Sequence, residues 1–143
     1  MADAREVGQR FIEAFNTHDE RRIRELNGEN TVFEAPGDVR VEGRDAATEY
    51  AMGWLRAFSD ARITVHNELA DGDWVVQEFT FTGTHDGTLA SPAGAISATH
   101  KTLNGRGVQI FRVEGGKVAD TRLYFDQVQV MTQLGLMPEP ATA

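Results

Sequence analysis

The chain has 143 residues, a net charge of −8 and no cysteine. This length fits one domain over residues 1–143 that can bury a core and a small cavity. The missing cysteines exclude disulfides, thiolate nucleophiles and cysteine–zinc sites, and an acidic chain without a basic run argues against nucleic-acid binding.

The N-terminal segment gives no indication of export or membrane insertion. It reads MADAREVGQR, which is charged and lacks the apolar stretch of a secretory signal. No run of about 18 apolar residues predicts a membrane span. We therefore expect a cytoplasmic protein with no membrane partner.

Two helices are predicted at the start of the chain. Val7, Phe11 and Phe15 recur every four residues and give the first helix one apolar face. The sequence THDE that follows has the form of a capping box, with Thr17 as the capping residue. A second helix is therefore expected over 19–27.

A third helix is predicted over 46–58, with Asp45 as its cap. Tyr50, Trp54 and Phe58 recur every four residues along it. This helix can therefore present an aromatic face to the core or to a pocket.

The remaining segments show strand patterns, in which β-branched and aromatic residues are enriched. Asp-Gly and Gly-Gly pairs mark two hairpin turns, and Gly105 and Gly107 are expected to mark a bulge or a bend. The predicted strands cover 31–33, 62–69, 74–85, 99–113 and 118–127, with a loop of small residues at 86–97 and a short amphipathic tail at 128–138.

The resulting order, α-α-β-α-β-β-β-β, indicates an α+β fold, because the helices are segregated from an antiparallel meander. A curved antiparallel sheet with three helices on its concave face makes a cone-shaped α+β barrel. The mouth of such a cone is a natural ligand cavity.

Five short motifs fit this order. They are AFNTHD at 14–19, GRDAA at 43–47, GTHDG at 83–87, FRVEGGKV at 111–118, and RLYFDQ followed by QLGL between 122 and 136. With these motifs the chain resembles the nuclear transport factor 2-like superfamily, and more closely its SnoaL-like branch. The superfamily includes polyketide cyclases, ketosteroid isomerases, epoxide hydrolases, dehydratases and non-catalytic binding modules, so the resemblance implies a fold and a pocket without fixing one function.

The resemblance also implies that the residues for the family's best-known chemistry are absent. Leu123 stands where SnoaL-like cyclases and limonene-epoxide hydrolases carry a catalytic aspartate. Gln109 stands where the cyclases carry a histidine and the isomerases an acidic oxyanion donor. Apolar side chains occupy the other positions at which relatives carry a base, a tyrosine, an arginine or an acid: Ala35, Phe11, Phe79 and Phe81.

Strand alternation independently predicts an aromatic and aliphatic pocket, because residues two apart share one face of a strand. Gln109 would be its main polar group, and we expect it to be catalytic. The opposite face, away from the pocket, would carry Glu78, Arg122, Tyr124 and Asp126. The expected ligand-binding residues are Phe11, Phe15, Phe33, Tyr50, Trp54, Phe79, Phe81, Phe111, Leu123 and Phe125.

His85 is the second predicted catalytic residue. It shares the strand face of Phe79 and Phe81, so it is expected near the cavity mouth, where a neutral histidine can shuttle a proton near pH 7. Its alternative role is structural, tying down the loop that follows. No two histidines have the helix or strand spacing of metal ligands, so we expect no metal and no other cofactor.

Three functions remain open. The first is a cyclase or isomerase for a polyketide, steroid-like or terpenoid compound, with Gln109 donating to a developing enolate. The second is a binding module without turnover for a small apolar ring-containing ligand. The third is an epoxide hydrolase or epoxide-opening cyclase that uses Asp38 and Glu68 as its carboxylate pair. The resemblance further implies a homodimer formed through the open face of the sheet.

Overall fold

The computed structural model describes residues 2–91 and 94–137. These residues form four helices and eight strands. In chain order they are α1 (Ala4–Asn16), α2 (Glu20–Leu26), β1 (Asn27–Ala35), β2 (Val39–Glu42), α3 (Arg44–Ala57), β3 (Arg62–Asp71), β4 (Trp74–Thr84), β5 (Leu89–Ser91), β6 (Gly94–Ile96), β7 (Thr102–Glu114), β8 (Lys117–Phe125) and α4 (Gln127–Gln133).

The start of α2 differs from the predicted capping box. Asp19 is the cap, and its carboxylate accepts a hydrogen bond of 3.1 Å from the backbone N–H of Arg22. Thr17 instead follows the last residue of α1, where its hydroxyl donates to the carbonyl oxygen of Glu13 at 2.9 Å. The Thr17 cap was wrong because the unpaired carbonyls at the end of α1 take its hydroxyl first.

The start of α3 also differs from prediction. The residue before the helix is Gly43, and it provides no side-chain cap. Asp45 lies in the first turn, where its carboxylate forms an ion pair with Arg24 of α2 at 2.9 Å. The predicted Asp45 cap is therefore replaced by a contact between two helices, which sequence spacing does not reveal.

Six strands form one sheet in the order β2-β1-β8-β7-β4-β3. Neighbouring strands are antiparallel except β1 and β8, which pair in parallel. The predicted α+β fold with a curved sheet is confirmed. β2 and the small β5–β6 hairpin were not predicted, β1 begins at Asn27 rather than at residue 31, and part of the tail forms the fourth helix.

The core lies between the helices and the concave face of the sheet. Val7, Phe11 and Phe15 are buried on α1, as their spacing predicts. Along β4 and β7 every second residue is buried over most of the strand. The apolar face of α1 and the inward-facing residues of β4 and β7 therefore pack together in one apolar core.

Gly105 and Gly107 lie in regular antiparallel register with β4, so the predicted bulge does not occur there. They lie opposite Phe81 and Phe79 on the inner face. A Cβ atom on Gly107 would lie 2.6 Å from Cζ of Phe79. Gly107 therefore leaves room for the ring of Phe79.

The last helix, α4, replaces a missing strand beside β7. β8 pairs with β7 only from Gly107 onward, so the earlier residues of β7 have β4 on one side alone. Gln133 accepts from the backbone N–H of Asn104 at 2.7 Å and donates to its carbonyl oxygen at 3.0 Å. Gln129 accepts from the backbone N–H of Arg106 at 3.3 Å. Two glutamines four residues apart thus satisfy an open strand edge.

Across residues 2–91 and 94–137, no helix is long and apolar enough to cross a membrane. The same residues contain no group of three or more histidine, cysteine, aspartate or glutamate side chains placed to hold a metal ion.

Candidate functional site

Two small chambers lie inside the cone. The first has a volume of about 70 Å³ and the second about 40 Å³. Trp54, Gln109 and Leu123 line both of them. Each is smaller than the cavity of about 150 Å³ that binds benzene in an engineered protein core. A ring-shaped ligand therefore fits in neither chamber unless a side chain moves.

A larger space, the mouth cleft, opens where the β1–β2 turn, the β5–β6 hairpin and α4 approach one another. Its volume is about 730 Å³, and Asp38, Leu89 and Met131 are among the residues that line it. Ligand pockets for drug-sized molecules have volumes of about 300–1,000 Å³. The mouth cleft therefore has room for a ring system.

Trp54 on α3 stands where the three spaces meet, because its side chain lines both chambers and the mouth cleft. The indole stacks on Phe58 with ring centroids 5.8 Å apart. It meets Phe81 and Phe125 edge-on at 5.5 and 5.6 Å. Trp54 thus forms a partition together with Tyr50, Phe125 and Val130, which also line the cleft and one of the chambers. We expect its displacement to help join the chambers to the cleft.

A row of polar side chains crosses the concave face. Gln77 on β4 lies opposite Gln109 on β7, which in turn lies opposite Leu123 on β8. The two glutamines are 0% and 5% exposed. Neither Oε1 of Gln77 nor Nε2 of Gln109 has a hydrogen-bond partner. Because a buried unpaired amide costs about 1–3 kcal/mol, an acceptor that reached Nε2 of Gln109 would be stabilised there.

Glu68 lies at the end of this row, opposite Gln77 on β3. Its side chain is 12% exposed. One carboxylate oxygen accepts hydrogen bonds from Arg5 Nη1 at 3.2 Å and Gln9 Nε2 at 2.9 Å, and the other accepts from Gln77 Nε2 at 3.0 Å. The carboxylate is therefore held by three donors.

The second chamber has further polar groups in its wall, from Asn27, Tyr50 and Thr121. Asn27 donates from Nδ2 to the hydroxyl of Thr48 at 3.2 Å. Burial raises the pKa of Tyr50, and a hydrogen bond with Trp54 opposes this only in part. Tyr50 therefore keeps its proton at neutral pH and presents a neutral hydroxyl.

Comparison with known families agrees with this fold. A family model described as SnoaL-like polyketide cyclase matches residues 5–134. The chain belongs to the SnoaL-like polyketide cyclase family. No curated protein sequence matches this SnoaL-like chain significantly.

Solved structures share the fold of this SnoaL-like protein. A protein described as a SnoaL-like polyketide cyclase from Jannaschia sp. CCS1 superposes with a TM-score of 0.83 at 22% identity, covering 94% of this chain and 93% of that one. IdmH, described as a polyketide cyclase, from Streptomyces antibioticus gives 0.78 at 22%, covering 94% and 99%. An LEH-like epoxide hydrolase from M. tuberculosis gives 0.69 at 20%, covering 90% and 86%. At such identities the likeness establishes the fold alone.

Most predicted ligand-binding residues of the SnoaL-like chain line the two chambers. Phe111 is the exception: it is fully buried, packs on Phe11 with ring centroids 5.1 Å apart and lines neither chamber. The first chamber is lined by Phe15, Trp54, Phe79, Phe81, Leu123 and Phe125. The second takes Phe11, Phe33, Tyr50, Trp54 and Leu123.

His85 is fully buried and lines neither chamber nor the mouth cleft. Its ring stacks on Phe58 at 5.3 Å, and Nδ1 accepts from the backbone N–H of Thr99 at 3.2 Å. Burial lowers its pKa, so the ring is neutral at pH 7. This position supports the structural role, tying down the segment that leads to Lys101, and gives no support to the predicted proton shuttle.

The structure separates the carboxylates of the predicted epoxide-opening pair. Asp38 lies in the turn between β1 and β2, at one edge of the sheet, and borders the mouth cleft. Glu68 lies on β3, the opposite edge strand, where three donors already hold it. The pair was wrong because loop and strand patterns do not reveal which sheet edge each acid occupies.

The outer face of the sheet carries the side chains that alternation places there. Glu78, Arg122 and Tyr124 are exposed, and the guanidinium of Arg122 lies 5.5 Å from the ring centroid of Trp74. Asp126 instead caps α4 by accepting from the backbone N–H groups of the next turn. Arg122 and Tyr124, the neighbours of Leu123 along β8, therefore do not line the two chambers.

The contribution of α4 was missed by sequence reasoning. Gln129 and Val130 close one side of the first chamber, and Val130 also borders the mouth cleft. The signal was present: Asp126 is a capping residue, and Val130 and Leu134 recur four residues apart in the tail. Pro138, the predicted end of the tail, lies outside the described residues.

Proposed function

We propose that the protein is a cyclase or isomerase that holds a neutral, ring-containing substrate of the polyketide, steroid-like or terpenoid class. The observation that carries this proposal is the buried, unpartnered Nε2 of Gln109, which belongs to a side chain lining both inner chambers. The substrate's ring system would occupy the mouth cleft and displace Trp54. Its polar end would then reach Gln109.

The chemistry follows from a largely apolar site in which Gln109 is a buried, neutral donor. When a basic group of the substrate itself takes the α-proton, the carbonyl oxygen gains negative charge as the enolate forms and would accept a hydrogen bond from Gln109 Nε2. In a site that excludes water this bond stabilises the charge more than it would in water. Tyr50 supplies a second neutral group, a hydroxyl, at the wall of the second chamber. The remaining rate acceleration comes from folding a reactive chain into a productive shape.

A non-catalytic binding module is the second candidate. No aspartate, glutamate or histidine is among the described residues that line the two chambers. Proton abstraction would therefore need a group of the substrate itself. Burial of one fused-ring ligand against these walls contributes about 25 cal/mol per Å² of apolar area, which suffices for binding without chemistry.

One experiment separates the two candidates. The protein is screened by thermal shift with fused-ring and terpenoid compounds, and each stabilising compound is recovered and analysed by mass spectrometry and chiral chromatography. Changed mass or stereochemistry supports catalysis, whereas recovery of intact compound supports binding alone. For a compound that is converted, Gln109→Leu should lower turnover at least tenfold with the fold intact. Unchanged turnover would remove Gln109 from the mechanism.

We also propose a homodimer formed through the outer face of the sheet. Leu69 and Tyr124 are 62% and 54% exposed there, and Leu69 lies in register with Val76 and Ile110. Apolar side chains on an open sheet face suit a symmetric contact. Sedimentation equilibrium of the wild type and Leu69→Glu tests it, with a monomeric wild type contradicting it.

A further inference from the structure

We infer that Glu68 and Gln77 are positioning residues, which hold the amide of Gln109 in one orientation toward the ligand. This inference rests on the proposed function, in which Gln109 is the donor. It concerns two side chains that line neither inner chamber and that act through hydrogen bonds along the cross-strand row.

The hydrogen bonds that Glu68 accepts determine how the amide of Gln77 is oriented. Its carboxylate receives Arg5, Gln9 and Gln77, all of which donate. An ionised carboxylate can only accept hydrogen bonds. The amide nitrogen of Gln77 must therefore face Glu68, because the reverse orientation would bring two acceptors together. This removes the usual ambiguity between the oxygen and nitrogen of a glutamine side chain.

The position of Oε1 follows from the orientation of Gln77. With Nε2 turned toward β3, Oε1 faces the other way, and it is buried without a donor. Directly across the ladder lies Gln109, whose Nε2 is buried without an acceptor. Side chains directly opposite in an antiparallel pair have Cβ atoms about 4.5–5.5 Å apart. A small change of side-chain torsion therefore lets Gln109 Nε2 donate to Gln77 Oε1 and satisfies both unpaired atoms at once.

A hydrogen bond to Gln77 would determine which groups Gln109 presents to a ligand. An amide nitrogen carries two hydrogens, so one N–H of Gln109 bonds to Gln77 and the other remains for the ligand. The carbonyl oxygen of Gln109 then lies on the side away from β4, toward Leu123 and the chambers. Gln109 would thus offer the ligand one donor and one acceptor side by side. The matching ligand group both accepts and donates, as an enol or a hydroxy ketone does.

Nuclear magnetic resonance of the ¹⁵N-labelled protein tests the relay without a substrate. The side-chain NH₂ signals of Gln109 are assigned by their loss in Gln109→Leu. Glu68→Gln and Gln77→Met should each shift these signals, and Gln77→Met should move the hydrogen-bonded proton upfield by at least 0.5 ppm. The control is Glu78→Gln, next to Gln77 on β4 but exposed on the outer face, which should leave them in place. Unmoved Gln109 signals in Glu68→Gln and Gln77→Met would overturn the inference.

A binding measurement tests the same relay from the ligand side. The probes are 9-fluorenone, a tricyclic ketone, and fluorene, which has the same rings without the carbonyl. Gln77→Met should weaken fluorenone binding about tenfold and leave fluorene binding unchanged, as Gln109→Leu should. A merely structural role would weaken both probes equally.

The two proposals fail in different ways. If Gln109→Leu removes the preference for the ketone and Gln77→Met keeps it, the relay is wrong and the role of Gln109 stands. If the Gln109 signals respond to Glu68→Gln and Gln77→Met but neither variant nor Gln109→Leu affects ketone binding, the relay stands and the proposed function is wrong.

Discussion

Gln109 and Leu123 lie directly opposite each other on β7 and β8, and both side chains line the two inner chambers. The buried amide of Gln109 thus faces an apolar partner at the position where the family resemblance places an aspartate. The pairing explains why the site offers hydrogen bonding without an acid or a base.

Leu123→Asp should restore a carboxylate beside Gln109. Placing an acid among Phe79, Phe81 and Phe125 should destabilise the fold by about 2–4 kcal/mol in urea unfolding at pH 7, because the charge loses its hydration. Val128→Asp, at an exposed position in the first turn of α4, should change stability by only about 0.5 kcal/mol. If the folded variant gains activity on an epoxide or a cyclisable ester, the pocket is otherwise competent for that chemistry. An unchanged stability would show that Leu123 is not in an apolar site.

Gly107→Ala should destabilise the protein by about 1–3 kcal/mol through overpacking. The new methyl group would lie 2.6 Å from Phe79 Cζ and 3.1 Å from the carbonyl oxygen of Tyr124. Gly53→Ala is the matched control, because a Cβ atom there meets nothing within 4 Å and the site is helical. It should stabilise the protein by about 0.5–1 kcal/mol. Equal effects in thermal unfolding would contradict the close approach of β7 to Phe79.

Trp54→Ala should merge the two chambers with the mouth cleft. The loss of a large, partly buried ring should cost about 3 kcal/mol, the low end of the range for buried aromatic side chains. The variant should gain stability from naphthalene, which the wild type binds more weakly because Trp54 must move. Trp74→Ala, on the outer face, serves as the control and should show no such gain. Thermal shift with and without naphthalene measures both effects. If naphthalene stabilises the wild type and Trp54→Ala equally, Trp54 is not a partition.

His85 should make stability depend on pH. Its pKa is lowered in the folded protein, mainly by burial, whereas in the unfolded chain it is about 6.5. The unfolded state therefore binds the proton first as the pH falls, and stability present above pH 6.5 is lost as the pH drops from there toward the folded pKa. Urea unfolding at pH 7.5, 6.5 and 5.5 should show this loss in the wild type and a smaller one in His85→Asn. A loss of equal size in both would show that His85 is not responsible.

Sequence reasoning succeeded where one periodicity determines a side chain's direction. Alternation along β7 and β8 placed Gln109 and Leu123 inside and Arg122 outside, and four-residue spacing placed Val7 and Phe11 in the core. These patterns depend only on local geometry, which the chain repeats at every residue.

It failed where a distant partner decides the outcome. Asp45 forms an ion pair with Arg24, and β1 pairs in parallel with β8. Neither contact leaves a pattern in the nearby sequence. A bulge in β3 turns Glu68 toward Gln77. Regular alternation along this strand would have turned Glu68 to the other face of the sheet. The size of the chambers depends on how Trp54 packs against three other rings, which is a property of the assembled core.

The most direct test of the account is the carbonyl stretching frequency of bound 9-fluorenone, measured by difference infrared spectroscopy. If Gln109 is a donor in an apolar chamber, the band should lie at lower frequency in the wild-type complex than in an apolar solvent, and Gln109→Leu should return it toward the solvent value. The same frequency in both proteins, with fluorenone bound to each, would show that Gln109 donates no hydrogen bond to the bound carbonyl.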